Sequence, residues 1–129
     1  SGRRVPPGTN GGVTPLGAGC SALGGAIIGL AAVVLDSLGG LRVQPWGCVA
    51  FGTTCGILGS LVDSILGATL QATHFDPDKK VVCGGEGTSS PGASVRISGR
   101  DVLSNAQVNV ASILMTSAAG SAIGSYFFD

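Results

Sequence analysis

Three long stretches of the chain are almost free of charged residues. Residues 13–35 and 102–128 contain no Asp, Glu, Lys or Arg, and residues 45–73 contain a single charged residue, Asp63. A helix of about 20 apolar residues is long enough to cross the hydrocarbon core of a bilayer. The pattern therefore predicts three transmembrane helices, one over each stretch.

The composition indicates the same class of protein. Charged residues make up only 11% of the chain, whereas a soluble domain has about 25%. The alternative, a soluble protein with three buried helices, would need more charged residues to cover its surface. Glycine is also abundant, with 23 of 129 residues, and in membranes glycine favours close helix packing. The sequence thus predicts an all-α integral membrane protein with three transmembrane helices and glycine-rich packing faces.

The charge balance and the cysteines exclude several functions. Seven basic and seven acidic residues give a formal net charge of 0, so the overall charge does not favour nucleic acid as a partner. The four cysteines have no C-x-x-C spacing, and three of them lie in apolar stretches. We therefore expect neither a disulfide framework nor a zinc site.

The basic residues are distributed unevenly along the chain, which predicts the orientation in the membrane. Arg42 alone lies between the first two predicted helices. The other basic residues precede helix one or lie in the long loop, residues 74–101: Arg3, Arg4, Lys79, Lys80, Arg96 and Arg100. By the positive-inside rule, the long loop and the segment before residue 13, called the N-terminal strip below, face the cytoplasm or the stroma of a plastid.

The long loop is rich in turn-forming Gly, Pro, Asp and Ser. Such residues favour turns over continuous helix or strand, so we expect the loop to be largely irregular. Residues 95–97 are compatible with a short strand, but the sequence alone does not decide this point.

Each predicted helix carries a stripe of small or polar residues at spacings of three and four. This spacing places the residues on one helix face, and small residues let transmembrane helices approach closely. We expect the hydroxyl groups in these stripes to act mainly as hydrogen-bonding contacts between helices. The stripes are Gly17, Ser21, Gly25 and Gly29 in helix one, Gly52, Gly56, Ser60, Asp63, Gly67 and Gln71 in helix two, and Asn105, Asn109, Ser112, Thr116, Gly120 and Gly124 in helix three.

Asp63 is the leading catalytic candidate. A carboxylate in the hydrocarbon region of a membrane costs several kcal/mol, so it is retained where it pairs, binds an ion or takes part in chemistry. The alternative is a structural one, in which a protonated or hydrogen-bonded Asp63 locks the helices together.

The segment before helix one is a candidate phosphate-binding loop. Glycines let backbone N–H groups turn toward an anion, and a helix N-terminus adds positive partial charge. No Lys follows the glycines, so the nucleotide-binding G-x-x-x-x-G-K-[ST] motif is absent. The alternative is a plain loop with a Thr or Asn helix cap. The candidate phosphate-binding residues of this segment are Gly8, Thr9, Asn10, Gly11 and Gly12.

Several oxygen-bearing side chains are expected at the same membrane level as Asp63. Together with Asp63, the side chains of Asn10, Asn105 and Asn109 form a donor set suited to Mg²⁺, which retains waters and bridges to substrate phosphates. Phosphate contacts are expected from the loop residues Lys79, Lys80, Arg96 and Arg100, although these also satisfy topology and attract anionic lipids. The chemistry predicted at this lipid–water boundary is phosphoryl or nucleotidyl transfer to a lipid.

Three segments carry a resemblance to a known family. They are GTNGGVT at residues 8–14, GILGSLVDSILGATLQ at 56–71, and ISGRDVLSN at 97–105 with Asn109 following. These segments resemble the transmembrane protein 19 family, also called the domain-of-unknown-function 92 family. The resemblance covers nearly the whole chain and is greatest to plant members of the plasma-membrane or endomembrane type.

The resemblance implies a lipid-phosphate kinase-like activity, because the chloroplast branch of the family includes a phytyl-phosphate kinase. The implied partners are membrane lipids, a nucleoside triphosphate, an isoprenyl phosphate and upstream helices of the same protein. Family members carry an acidic motif in an earlier helix, so this chain is expected to be the C-terminal part of a polytopic domain. The positions that match family motifs are Asn10, Asp63, Gln71, Asn105 and Asn109. After Leu103 the family usually reads Asp-Asn-Asn, whereas this chain has Ser104-Asn105-Ala106.

Two further functions remain open. In one, the protein is a transporter or signalling component in which Asp63 relays a proton or cation. In the other, it is an assembly subunit whose polar stripes pack against other helices. The enzyme, transporter and assembly interpretations predict different effects of the Asp63→Asn substitution: lost Mg²⁺-dependent turnover, lost pH-dependent flux, or altered assembly alone. The expected location is the plasma membrane or an endomembrane rather than the chloroplast envelope.

Overall fold

The computed structural model describes residues 4–40, 44–78, 80–83 and 94–128. The chain is mostly helical and includes a small three-stranded sheet. In chain order the elements are α1 (Pro15–Leu38), α2 (Pro45–Leu70), β1 (Thr73–Asp76), β2 (Val81–Cys83), β3 (Val95–Ser98), α3 (Asn105–Ile123) and α4 (Ser125–Phe128). Helices α1, α2 and α3 are long and apolar enough to cross a membrane, which confirms the predicted fold class.

The chain divides into two compact units. The loop unit comprises Ser1–Val13 and Asp63–Ala111, and the helical unit comprises Thr14–Val62 and Ser112–Asp129. The N-terminal strip and the long loop therefore belong to one unit, as their predicted position on the same side of the membrane requires.

Capping residues explain where α1 begins and ends. Thr14 is its N-cap, and the Thr14 hydroxyl accepts a hydrogen bond from the backbone N–H of Gly17 at 3.0 Å. This confirms the interpretation of Thr14 as a cap. At the other end, the N–H of Gly39 donates to the carbonyl of Leu35, and Gly40 has a positive φ of 74°. The helix therefore extends to Leu38, three residues beyond the predicted end, because the glycines rather than the charge of Asp36 stop it.

Helix α3 begins later than the predicted residue 102. The hydroxyl of Ser104 accepts a hydrogen bond from the N–H of Gln107 at 3.3 Å, and the side-chain oxygen of Gln107 accepts one from the N–H of Ser104 at 2.9 Å. This reciprocal pair is a capping box, which fixes the first turn at Asn105.

The expectation of a largely irregular loop is wrong for a substantial part of residues 74–101. Strand β1 forms the centre of an antiparallel sheet with the order β2-β1-β3. Strand β3 includes the residues at which the sequence left a strand undecided. Helix α2 ends at Leu70, three residues before the predicted end, and His74 belongs to β1. Strand β1 includes β-branched Thr73 and aromatic Phe75, which favour strands.

Glycines bring α1 and α2 into backbone contact within the helical unit. A Cβ on Gly25 would overlap the carbonyl of Gly52, and one on Gly29 would overlap the carbonyl of Cys48. A Cβ on Gly56 would lie 2.5 Å from the carbonyl oxygen of Ser21. The predicted stripes of α1 and α2 are thus true packing faces, in which even one methyl group is too large.

The C-terminal aromatic residues also pack within the helical unit. The rings of Phe127 and Phe128 lie edge-on to Phe51, with centroids 5.5 Å and 5.4 Å away. This geometry is favourable for aromatic pairs. A Cβ on Gly120, in the stripe of α3, would lie 3.3 Å from the sulfur of Cys55. The aromatic cluster of Phe51, Phe127 and Phe128 therefore lies beside Gly120 in the stripe of α3.

Two stripe hydroxyls do not form the predicted bonds between helices. The hydroxyl of Ser21 donates to the carbonyl of Gly17 within α1 at 3.0 Å, and the other exception is Thr116. It is the one side chain in the described part of the chain with a buried oxygen or nitrogen atom that lacks a hydrogen-bond partner. A Cβ on Gly59 would lie 3.4 Å from this hydroxyl oxygen, so the group faces a helix surface without an acceptor. A buried hydroxyl group without a partner costs roughly 1–3 kcal/mol.

Replacement of Thr116 by Val should therefore leave the free energy of unfolding unchanged or raise it by about 1 kcal/mol, because Val has the same shape and no polar group. The matched control is Thr53→Val, which removes a hydrogen bond of 2.7 Å to the carbonyl of Val49. Unfolding in mixed micelles with increasing denaturing detergent measures both changes. Greater destabilisation by Thr116→Val than by Thr53→Val would contradict this account.

Candidate functional site

The loop unit contains all five family-matched positions: Asn10, Asp63, Gln71, Asn105 and Asn109. They come from the N-terminal strip, the last two turns of α2 with the residue that follows, and the first two turns of α3. Sequence positions as far apart as 10 and 109 therefore contribute to one compact unit, as the predicted topology requires.

The N-terminal strip packs directly against α2 through Gly11. This residue has a positive φ of 74°, and a Cβ on it would overlap Ala68 and the carbonyl of Ser64. From the other side, a Cβ on Gly67 would lie 3.2 Å from the backbone nitrogen of Gly11. Only glycine fits both the backbone conformation and the space. Gly11 thus holds the strip against the helix one turn beyond Asp63.

The backbone N–H groups of the strip are largely used inside the protein. The N–H of Thr9 donates to the carbonyl of Pro6 at 3.2 Å, and the N–H of Gly12 donates to the carbonyl of Thr9 at 3.0 Å. The N–H of Asn10 donates to the hydroxyl of Thr73 at 3.1 Å. In this conformation, three of the five N–H groups from Gly8 to Gly12 are therefore not directed at an anion. The phosphate-binding role of the strip stays a prediction.

The side chain of Asn10 binds the backbone just beyond the end of α2. Its Nδ2 donates to the carbonyl of Ala72 at 3.1 Å, in the short connection between α2 and β1. Ala72 is only 2% exposed, so water does not replace this bond. The cap of α1 is Thr14, so of the two capping residues that the sequence left open the structure shows Thr14 and not Asn10.

The segment before α3 caps the same helix end. The N–H of Arg100 donates to the carbonyl of Thr69 at 3.0 Å, and the N–H groups of Val102 and Leu103 donate to the carbonyl of Leu70 at 3.1 and 3.0 Å. Gly99 allows this approach, since it has a positive φ of 68° and a Cβ on it would overlap the carbonyl of Gln71. The carbonyls at the end of α2 are thus covered by protein rather than by water.

A side-chain bond connects α2 to α3 within the loop unit. Nε2 of Gln71 donates to Oδ1 of Asn105 at 3.3 Å. Both residues are positions that match the family motifs, and the bond brings the two helix ends together. Asn109 lies one turn further along the same face of α3.

Asp63 is half-buried in α2 and makes a polar interaction within the protein. Asn109 is exposed and also has an interaction partner. The structure therefore agrees with either predicted role of Asp63, since a structural carboxylate and a functional one both need polar neighbours.

The predicted basic residues are only partly described. Lys80, Arg96 and Arg100 are all exposed, whereas Lys79 lies outside the described residues, as do Arg3 and Arg42. Arg96 lies opposite His74 in the register of β1 and β3. The exposed side chains are available to a phosphate, and Arg100 is held by its backbone bond at the end of α2.

The donor chemistry of the site fits Mg²⁺ with one carboxylate. Residues 4–40, 44–78, 80–83 and 94–128 contain no group of three or more His, Cys, Asp or Glu side chains suited to a metal ion. Asp63 would be the single anionic ligand, and the amide oxygens of Asn10, Asn105 and Asn109, which belong to the same unit, would be the neutral ones. Mg²⁺ is commonly held by one or two carboxylates together with waters and substrate phosphates, so the set is sufficient only when phosphate is bound.

Sequence reasoning missed several residues that build the site. Gln107 forms half of the capping box, and the Ser104-x-x-Gln107 pattern was visible in the sequence as a helix start. Thr73, which is only 1% exposed, and Gly99 had no such local signal, because their partners are distant in sequence.

Removal of the Asn10 side chain tests how much its hydrogen bond to the carbonyl of Ala72 stabilises the protein. Asn10→Ala should lower the free energy of unfolding by about 1–2 kcal/mol, because the buried carbonyl of Ala72 loses its partner. Ser121→Ala, at an exposed position of α3, should change it by less than about 0.5 kcal/mol. Both values are measurable by detergent-induced unfolding. Equal stability of the two variants would show that the Asn10 bond does not hold the strip.

Comparison with known proteins identifies the family. Residues 1–117 match the family model described as Integral membrane protein DUF92. Protein PGR of Arabidopsis thaliana is 38% identical over 135 aligned positions, which cover 96% of this chain and 43% of that protein. The chain thus spans less than half the length of this relative. No solved structure matches the chain. The chain belongs to the DUF92 family of integral membrane proteins.

Proposed function

We propose that this protein is a membrane phosphotransferase of the lipid-phosphate kinase type, which transfers a phosphoryl group from a nucleoside triphosphate to an isoprenyl phosphate. The observation that carries the proposal is the convergence of Asn10, Gln71 and Asn105 at one end of α2, in the same unit as Asp63. A polar cluster at the end of a transmembrane helix suits a substrate whose phosphate is in water and whose chain is in lipid.

Each group in the cluster has a distinct task in this proposal. Asp63, with the amide oxygens of Asn10, Asn105 and Asn109, holds Mg²⁺. When bound, Mg²⁺ neutralises charge on the transferring phosphoryl group. The phosphates of donor and acceptor are held by basic side chains of the long loop. These are the exposed Lys80, Arg96 and Arg100, together with Lys79. Phosphoryl transfer needs little covalent help from the protein, so positioning and charge supply most of the catalysis.

The membrane in which this reaction takes place is also a proposal. We propose the plasma membrane or an endomembrane, with the loop unit on the cytoplasmic side. The excess of basic residues in the N-terminal strip and the long loop supports this orientation.

The direct test is a phosphotransfer assay on the whole protein in detergent, with radiolabelled CTP or ATP and a panel of isoprenyl phosphates. The expected result is Mg²⁺-dependent formation of an isoprenyl diphosphate. A chloroplast phytyl-phosphate kinase assayed in parallel serves as the positive control. If stable, folded protein forms no product with any acceptor while the control does, the proposal is wrong.

A second candidate function is a proton or cation relay in a transporter or signalling protein. The half-buried Asp63 within a membrane-spanning helix favours it, since ionisable residues at membrane depth often mark ion pathways. Proteoliposomes separate the two functions. A relay gives pH-dependent flux that Asp63→Asn abolishes, whereas a phosphotransferase gives no flux with either protein.

A further inference from the structure

A groove of about 630 Å³ lies in the helical unit and is open along one side. Its lining includes Ile28 of α1, Phe51 of α2 and packing glycines of both helices. The volume is within the range of about 300–1,000 Å³ that is usual for small-ligand cavities. A cavity of this size is suited to one long hydrocarbon chain.

Among the described residues, Asp36 is the only charged one that lines the groove. On α1 the lining residues Gly25, Gly29, Ala32 and Asp36 follow one another at spacings of three or four, so they form one helix face. Asp36 is the last of them and lies in the last turn of α1. The groove is therefore apolar along its length and has a carboxyl group at one end.

No hydrogen bond or ion pair to the carboxyl group of Asp36 is found in the described part of the chain. The described residues of the groove lining include no Lys or Arg, and Asp36 is half-buried. A carboxylate beside apolar surface is costly unless a cation or hydrogen-bond donor pairs with it. A ligand head group of positive charge would supply that pairing through a charge-assisted hydrogen bond.

We propose that the groove binds a single-chain lipid with a protonated amine, the chain against Ile28 and Phe51 and the amine on the carboxylate of Asp36. An anionic head group would be repelled by Asp36, so this site is not the one proposed for the isoprenyl phosphate. The two proposals are independent, because the lipid-amine site requires no phosphoryl transfer.

Two probes of equal chain length test the proposal, octadecylamine and octadecanol, titrated against the whole purified protein in detergent with native mass spectrometry as the readout. The amine should bind about tenfold more tightly than the alcohol at neutral pH. In Asp36→Asn this preference should fall to within about twofold, while Asp78→Asn, at an exposed position of the loop unit, keeps it. A tenfold ratio is about 1.4 kcal/mol.

A second variant tests the location. Ala32→Phe places a ring in the groove and should abolish binding of both probes, while circular dichroism shows that the helices remain folded. The proposal is overturned by equal binding of the amine and the alcohol to the unmodified protein, or by a preference that persists in Asp36→Asn. It is also overturned if Ala32→Phe leaves binding intact or changes only the oligomeric state, since the groove would then be an interface between protein chains.

Discussion

Asp63→Asn is expected to reduce Mg²⁺-dependent transfer to an isoprenyl phosphate by at least about 100-fold, which corresponds to about 2.7 kcal/mol of transition-state stabilisation. Asp63 is the only acidic residue in the proposed donor set, so its amide variant offers Mg²⁺ no anionic protein ligand. Loss of a preorganised electrostatic contact at a transferring group has effects of this size. The measurement is the initial rate of product formation at saturating Mg²⁺.

Asp101→Asn provides the matched control. Asp101 is also in the loop unit, but it is exposed and precedes α3, so its variant should keep the rate within about twofold of the unmodified protein. Detergent-induced unfolding of both variants separates lost chemistry from lost structure. An Asp63→Asn protein that is fully active would eliminate the metal-ligand role of this residue and favour the structural one. An Asp63→Asn protein that is inactive because it is unfolded would also favour the structural role of Asp63.

The transmembrane helices were predictable because their signal is local. A bilayer-spanning helix needs a long run of apolar residues, and three such runs are evident in the sequence. Helix ends were less predictable, because capping decides them and charge does not. Asp36 lies inside α1, whereas Ser104 and Gln107 start α3 three residues after the apolar run begins.

The small sheet was mostly missed for a different reason. Its strands have only three or four residues and lie among turn-forming residues, so each carries a weak local signal. The pairing of β1 with β3 joins His74 to Arg96 across a long segment. Such contacts depend on the packing of the whole loop unit, and sequence periodicity does not reveal them.

The sequence grouped the candidate residues by topology but did not reveal the contacts of their side chains. Topology alone assigned Asn10, Asp63 and Asn105 to one side of the membrane, and the structure includes all three in one unit. The hydrogen-bond partners depend on tertiary packing: the Asn10 side chain donates to the carbonyl of Ala72, and three of the five N–H groups from Gly8 to Gly12 bond within the protein. Polar residues that look like ligands in a sequence also bind buried backbone groups.

The glycine contact between α1 and α2 should be sensitive to a single added methyl group. In Gly25→Ala, the new methyl group would overlap the carbonyl oxygen of Gly52 and lie 2.8 Å from its carbonyl carbon and 3.1 Å from Cα of Thr53. Backbone atoms cannot rotate away as a flexible side chain does, so the helices must separate. We expect the free energy of unfolding to fall by about 1–3 kcal/mol, as is typical of overpacked cores.

Gly24→Ala is a control from the adjacent position. A Cβ on Gly24 has no atom within 4 Å, and both substitutions bring the same gain in helix propensity, which is up to about 1 kcal/mol. The difference between the two variants in detergent-induced unfolding therefore isolates the packing contribution. Gly24→Ala should be as stable as the unmodified protein or more stable. Equal stability of the two variants would mean that α1 and α2 do not meet at Gly25. The groove that Gly25 lines would then differ from the one described above.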